Sequence, residues 1–157
     1  MKFTINFGSV KNQLLKCDNK TPMFSLEGKM KLCRVVNIYD GDTCKVVFRM
    51  NDEINRWNVR MTGYDTPEMR PPKSQANREL EIAAAKQAKS YLQSLIMNPG
   101  QLVYIKCGEF DKYGRLLGEI YIKKDDSKSV NQMMIEQGHG YAYDGGTKKT
   151  FIKKSVI

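Results

Sequence analysis

From Lys31 onward the chain carries regular hydrophobic patterns, and before it there are none. Two β-branched runs, LCRVVNIY and TCKVVF, flank Asp40-Gly41, a dipeptide suited to tight turns, and together predict a first β-hairpin. RWNVRM alternates strictly, which puts Trp57, Val59 and Met61 on one face of a third strand and Arg56, Asn58 and Arg60 on the other. Arg60 is thereby turned away from the core. The stretch from about Gln75 to Met97 is rich in Ala, Glu, Lys, Gln and Leu, has apolar residues at Leu80, Ala84, Ala88, Leu92 and Leu95, and stops at Pro99-Gly100. It reads as the one long helix. QLVYIKC and LLGEIYI predict two more strands joined by FDKYGR, and SVNQMMIEQ predicts a short helix closed by Gly138.

Residues 1–28 lack periodicity and carry turn signals at Asn19, Pro22 and Gly28, so an irregular extension with no assigned chemistry is expected there. After Tyr143 the segment DGGTKKTFIKKSVI is Gly-rich and basic and reads as a mobile arm. The expected organisation is an extension over 1–28, a folded domain over 29–143 and a basic tail over 144–157. Five strands with a helix after the third suit an α+β, mainly β architecture. The fold expected is a five-stranded Greek-key barrel of the OB type with two or more flanking helices, which often binds oligonucleotides.

A length of 157 residues allows a single domain with a sizeable core, and 41% hydrophobic with 27% charged residues is ordinary for a globular chain. Charge changes the picture more. Lys and Arg number 26 against 17 Asp and Glu, and a net charge of +9 attracts polyanions, which makes nucleic acid the leading partner. Charge alone does not separate nucleic acid from anionic lipid. Cys17, Cys33, Cys44 and Cys107 match no CxxC pair and no zinc spacing, so free thiols are expected. The first residues hold no apolar run suited to secretion, and no stretch nears the roughly 18 apolar residues of a membrane span. An intracellular protein with no membrane partner is expected.

Phosphodiester hydrolysis needs a cation on a non-bridging oxygen, an activated water, and positive donors for charge developing at phosphorus. His139 is the single histidine and follows a helix end, so a monomeric site built on two or more histidines is excluded. Asp40, Asp42 and Asp65 are hard oxygen ligands, two at a hairpin turn and one at a strand end, where a barrel mouth would gather them. The same residues also suit turn chemistry. DTPE, at Asp65 to Glu68, reads equally as a helix entry with Asp65 or Thr66 as the cap, or as a pair of functional carboxylates. Arg60 on the outward face and Arg115 at the head of the fifth strand are guanidinium forks able to hold phosphate oxygens bidentately.

DGDT at 40–43, RMTGYDTPE at 60–68 and DKYGR at 111–115, in that order and with a long helix between the last two, resemble the signature segments of the staphylococcal (thermonuclease) nuclease family. The resemblance covers roughly Lys31 to Tyr143. It implies one calcium ion held by Asp42, Asp65 and the backbone carbonyl of Thr66, with Asp40 behind them. It implies Glu68 as the residue that positions or deprotonates the attacking water, and Arg60 and Arg115 as the pair that stabilises the pentacovalent phosphate. Lys112 and Tyr113 match positions that contact a terminal phosphate and stack near the nucleotide. The activity implied is calcium-dependent endonucleolytic hydrolysis of DNA and/or RNA, with low sequence specificity and 3′-phosphate products. Single-stranded nucleic acid is the expected partner, no small-molecule cofactor is expected, and a monomer is expected. Two competing classes are a related module that binds nucleic acid with weak or no catalysis, and a basic OB-type single-strand binder that is independent of metal. The family's further helix after the motif region has no counterpart after Tyr143, and MRPPKSQANRE is this chain's own variant of a loop bordering the site.

Overall fold

The computed structural model describes residues 7–151. Strands β1 (Met30–Ile38), β2 (Thr43–Met50), β3 (Glu53–Met61), β5 (Val103–Phe110) and β6 (Leu116–Tyr121) close into a barrel in the order β1-β2-β3-β6-β5. β3 and β6 pair in parallel and the other neighbours are antiparallel. This is the mainly β, OB-like barrel with flanking helices that the pattern predicts. Two short strands, β4 (Tyr64–Asp65) and β7 (Tyr141–Ala142), pair with each other at the barrel's mouth. Strand alternation fills the interior with Val35, Val46, Val59, Ile105 and Ile120, all buried. Helix α2 (Arg78–Ile96) adds Ala88, Leu92 and Ile96 to this core, and α3 (Val130–Glu136) adds Val130 and Met134.

All four cysteines are free, and only Cys17 is exposed. Burial pushes the Cys33 thiol up to about 12, with Cys107 adding to the effect, so it packs as an uncharged apolar group. Ser129 caps α3 by accepting from the Gln132 N–H, and the Gln132 side chain answers by accepting from the Ser129 N–H. Asn131 on α3 is buried and ties three segments together. Its Oδ1 accepts from Ile120 N at 3.0 Å, and its Nδ2 donates to Thr62 O at 2.8 Å and to Gly118 O at 3.1 Å.

Four local expectations are corrected. A helix α1 (Phe7–Leu14) occupies part of the stretch read as irregular, although it buries no side chain, and Leu26, near the end of the same stretch, lies fully inside the core. Residues 1–6 of that stretch lie outside the described residues. DTPE is not a helix entry, because α2 begins only at Arg78, after a loop, and its N-cap Asn77 is left-handed with no side-chain cap. The buried stripe of α2 is Glu81, Ala85, Ala88, Leu92 and Ile96, leaving Leu80 41% exposed. That rotation follows from a polar contact: Glu81 turns inward and accepts from the Glu68 N–H at 2.9 Å and from the Gln75 side chain. Finally, the described part of the tail is not a free arm. Residues 144–151 fold back over the mouth of the barrel, where Thr147, Lys148 and Lys149 line the cleft described below. Residues 152–157 lie outside the described residues. No described helix is long and apolar enough to cross a membrane.

Candidate active site

The β1–β2 turn, the end of β3, β4 and the β5–β6 turn meet at one end of the barrel around a cleft of about 1060 Å³. Asp40, Asp42, Arg60, Asp65, Thr66, Glu68, Lys112, Tyr113 and Arg115 all line it. Local chemistry places each. Asp40 organises the β1–β2 turn, its Oδ1 accepting from Asp42 N at 3.1 Å. Gly41 must be small, since a Cβ there would lie 2.8 Å from Thr66 Cγ2 and 2.9 Å from the Ala88 methyl. Its carbonyl accepts from the buried Tyr64 hydroxyl at 2.7 Å. The turn is thus clamped between β4 and α2.

Asp42 and Asp65 lie on the cleft floor at 6% and 2% exposure. Arg60 bridges them, Nη1 to Asp42 Oδ1 and Nη2 to Asp65 Oδ1, both at 3.0 Å, while also donating to the carbonyls of Met61 and Tyr64. Thr66 Oγ donates to Asp42 Oδ2 and Thr43 Oγ to Asp42 Oδ1, each at 3.0 Å. Burial, then the neighbouring Asp40 charge, push the Asp42 carboxyl above the usual carboxylate range, and Arg60 with the two threonines only partly offsets them. Asp42 and Asp65, which share the Arg60 guanidinium, are the two hard oxygen donors here that could take part in holding a divalent cation. Among the described residues no group of three or more His, Cys, Asp or Glu side chains converges on one point. Any ion here would therefore take its remaining ligands from a backbone carbonyl, water or substrate.

On the opposite wall, Asp111 shapes the DKYGR turn. Its carboxylate accepts from the N–H groups of Tyr113 and Arg115 at 2.9 Å and from Arg115 Nε at 2.7 Å. Although partial burial acts the other way, these bonds hold the Asp111 carboxyl below its usual range. Gly114, at φ 78°, supplies the left-handed residue the turn requires. Both terminal nitrogens of Arg115 keep no protein partner among the described residues, so the two-pronged end of the fork is open to an anion. Lys112 Nζ and Arg115 Cζ sit 5.1 and 5.6 Å from the ring centroid of Tyr113, which is 73% exposed.

Sequence reasoning missed three contributors. Tyr141 on β7 donates its hydroxyl to Asp65 Oδ2 at 2.8 Å. Glu81 holds the backbone of Glu68 from inside α2. Lys148 places its ammonium 2.6 Å from Glu68 Oε1 and 3.4 Å from Asp65 Oδ1. Nothing local marks these residues, since each acts through a partner distant in sequence. His139 lies away from the cleft and stacks on Tyr91 at 4.5 Å, where burial lowers its pKa.

A family profile described as staphylococcal nuclease homologue matches residues 58–155, well over half of the chain. The chain belongs to that family. It is 31% identical to endonuclease YncB of Bacillus subtilis (strain 168) over 133 residues, which is 82% of this chain and 57% of that protein. It is 34% identical over 114 residues to the SPbeta prophage-derived endonuclease YokF of the same organism, covering 69% of this chain and 34% of that one. An uncharacterized endonuclease of Escherichia coli O157:H7 is 28% identical over 111 residues, 71% of this chain and 60% of its own length. The chain thus spans between about a third and three-fifths of the length of these relatives.

Proposed function

We propose that this protein is a calcium-dependent endonuclease that hydrolyses single-stranded DNA and/or RNA with low sequence specificity, leaving 3′-phosphates. The observation that carries the reading is the convergence of Arg60, Arg115, Glu68 and two buried aspartates on one cleft in a chain with a strong positive balance. Asp42 and Asp65, with the Thr66 carbonyl, would hold the ion, and Asp40 supports the turn that carries Asp42. When bound, the ion supplies a Lewis acid for a non-bridging phosphate oxygen. Arg115 offers its open guanidinium face to the same phosphate, and Arg60 stands beside it between the two carboxylates. Both strengthen their bonds as negative charge grows toward the transition state. Glu68 takes the proton of the attacking water, its Oε2 being unpartnered among the described residues. Lys112 and Tyr113 bind the adjoining phosphate and sugar or base.

The test is cleavage of fluorescence-quenched single-stranded DNA and RNA in calcium, in magnesium and in chelator. Cutting is expected in calcium and its loss in chelator. Binding without cutting under every metal would support the second reading, a nucleic-acid-binding module. One observation favours that second reading: Lys148 occupies Glu68 and touches Asp65. Both side chains of the Lys148–Glu68 pair are about half exposed, at 53% and 51%, so the pair holds by no more than about 1 kcal/mol. Lys148→Ala is accordingly expected to raise kcat/KM at limiting calcium by up to about fivefold, read from initial rates across a calcium titration. A fall instead would place Lys148 among the substrate-binding groups.

A further inference from the structure

Outside the cleft, the outer face of β1, β2 and β3 carries cations that the hydrolytic reading does not use. The alternation that buries Val35, Val46 and Val59 turns Arg34, Lys45 and Arg56 outward. Strand register then aligns them. Across β2 and β3, Thr43 pairs with Arg60, Lys45 with Asn58, and Val47 with Arg56; across β1 and β2, Asn37 pairs with Lys45 and Arg34 with Val47. The outward column therefore begins at Thr43 and Arg60 inside the cleft and continues through Lys45, flanked by Asn37 and Asn58. It reaches Arg56 and Arg34 on either side of Val47. Successive outward residues on a strand are about 6.5 Å apart, so Arg56 lies about 13 Å from Arg60 along β3. No acid interrupts these rows, and none of Arg34, Lys45 and Arg56 forms an ion pair among the described residues. The next outward cation, Arg49, is neutralised by Asp52 at 3.2 Å, which ends the track.

We propose that this face is a second binding site, which holds the phosphodiester backbone of single-stranded nucleic acid as it leaves the cleft along β2 and β3. The proposal rests on the nuclease reading and deepens it. The track adjoins the Thr43–Arg60 strand pair that lines the cleft, so a strand whose phosphate lies in the cleft runs directly onto it. Its side chains offer charge and amides but no ordered set of base-reading groups, which suits backbone contact without sequence preference. A single strand fits better than a duplex because Asp42 and Asp65 lie on the cleft floor. The attacked phosphate must descend while its neighbours stay on the sheet, a sharp bend for a duplex with a persistence length of about 150 base pairs. The exposed ring of Tyr39, next to Asp40, offers a base a stacking surface at the turn between the two sites.

The test uses the full chain and Arg34→Ala/Lys45→Ala/Arg56→Ala, none of which lines the cleft. Binding of oligothymidylate of about 16 nucleotides, the upper range one OB fold covers, is followed by fluorescence anisotropy in chelator at several salt concentrations. Cleavage of the same strand and of a dinucleotide is measured in calcium. The variant is expected to bind the oligonucleotide about tenfold or more weakly at low salt. The slope of log affinity against log salt should flatten by about two, since each single-strand phosphate contact contributes about 0.7. Dinucleotide cleavage should not change. An unchanged slope, an equal loss on the dinucleotide, or a variant defect confined to binding of phosphatidylserine vesicles would overturn the proposal. If the wild type cuts neither substrate, the nuclease reading fails while the slope still decides the track. The single variants, read on slope alone, decide it if the triple variant does not fold.

Discussion

Glu68→Gln is expected to lower kcat on single-stranded oligonucleotides by about 10²–10⁴-fold, the usual contribution of a positioned general base, while KM and binding in chelator stay nearly unchanged. The substitution keeps the shape of the side chain and removes its ability to take a proton. It also leaves the backbone alone, because the Glu68 N–H is held by Glu81 from α2 rather than by its own carboxylate. Among the described residues, the side-chain contact weakened is the ion pair to Lys148, whose loss would by itself free the site rather than impair it. Rapid-quench kinetics separates the two parameters. A kcat within a few-fold of wild type would remove Glu68 from the chemistry.

Asn131→Ala is expected to be the most damaging of the variants proposed here for stability. Its amide satisfies the N–H of Ile120 and the carbonyls of Thr62 and Gly118, and the residue is buried at 4% exposure. Alanine leaves the Ile120 N–H and the Thr62 carbonyl without that partner in a place water does not easily reach, at about 1–3 kcal/mol for each group left unsatisfied, whereas the Gly118 carbonyl keeps its bond from the Thr62 N–H at 3.0 Å. A total loss of about 3 kcal/mol corresponds to a fall of about 6–12 °C in Tm for a chain of this size. Differential scanning calorimetry measures it. A Tm within about 2 °C of wild type would mean that the two groups find other partners.

The parts of the fold legible in the sequence are those in which neighbouring residues decide the outcome. The β1–β2 hairpin follows from two β-branched runs around Asp40-Gly41, β3 from the alternation of Trp57, Val59 and Met61, and the end of α3 from Gly138, which adopts φ 74°. What eluded reading was set across the molecule. The rotation of α2 depends on Glu81 turning inward to a backbone N–H on a loop, which reverses the ordinary expectation for a charged residue near a helix start. The DTPE segment carries every local mark of a helix entry, yet Asp65 pairs in β4 with β7 and the helix waits until Arg78. The tail reads as mobile because its Gly-rich, basic composition says nothing of Glu68, the partner that holds Lys148. For the cleft the order of three motifs was legible, whereas the contributions of Tyr141, Glu81 and Lys148 required the folded chain.

Two long-range pairings close the barrel: a parallel seam, where Val59, Arg60 and Met61 pair with Leu116, Leu117 and Gly118, and the antiparallel pairing of β1 with β5 from Met30–Lys106 to Cys33–Val103. Arg60 sits within the parallel seam and Arg115 stands immediately before it, so closure brings both onto the lining of one cleft. The hairpins draw on contacts close in sequence, while the parallel seam and the β1–β5 pairing join segments distant in sequence and carry most of the loop-closure entropy. A chain with both hairpins zipped and the seam still open would have most of its native backbone hydrogen bonds and no assembled cleft. On the reading proposed here, cleavage therefore reports closure of the parallel seam, and a molecule emerging from synthesis with that seam open is harmless to the nucleic acid around it.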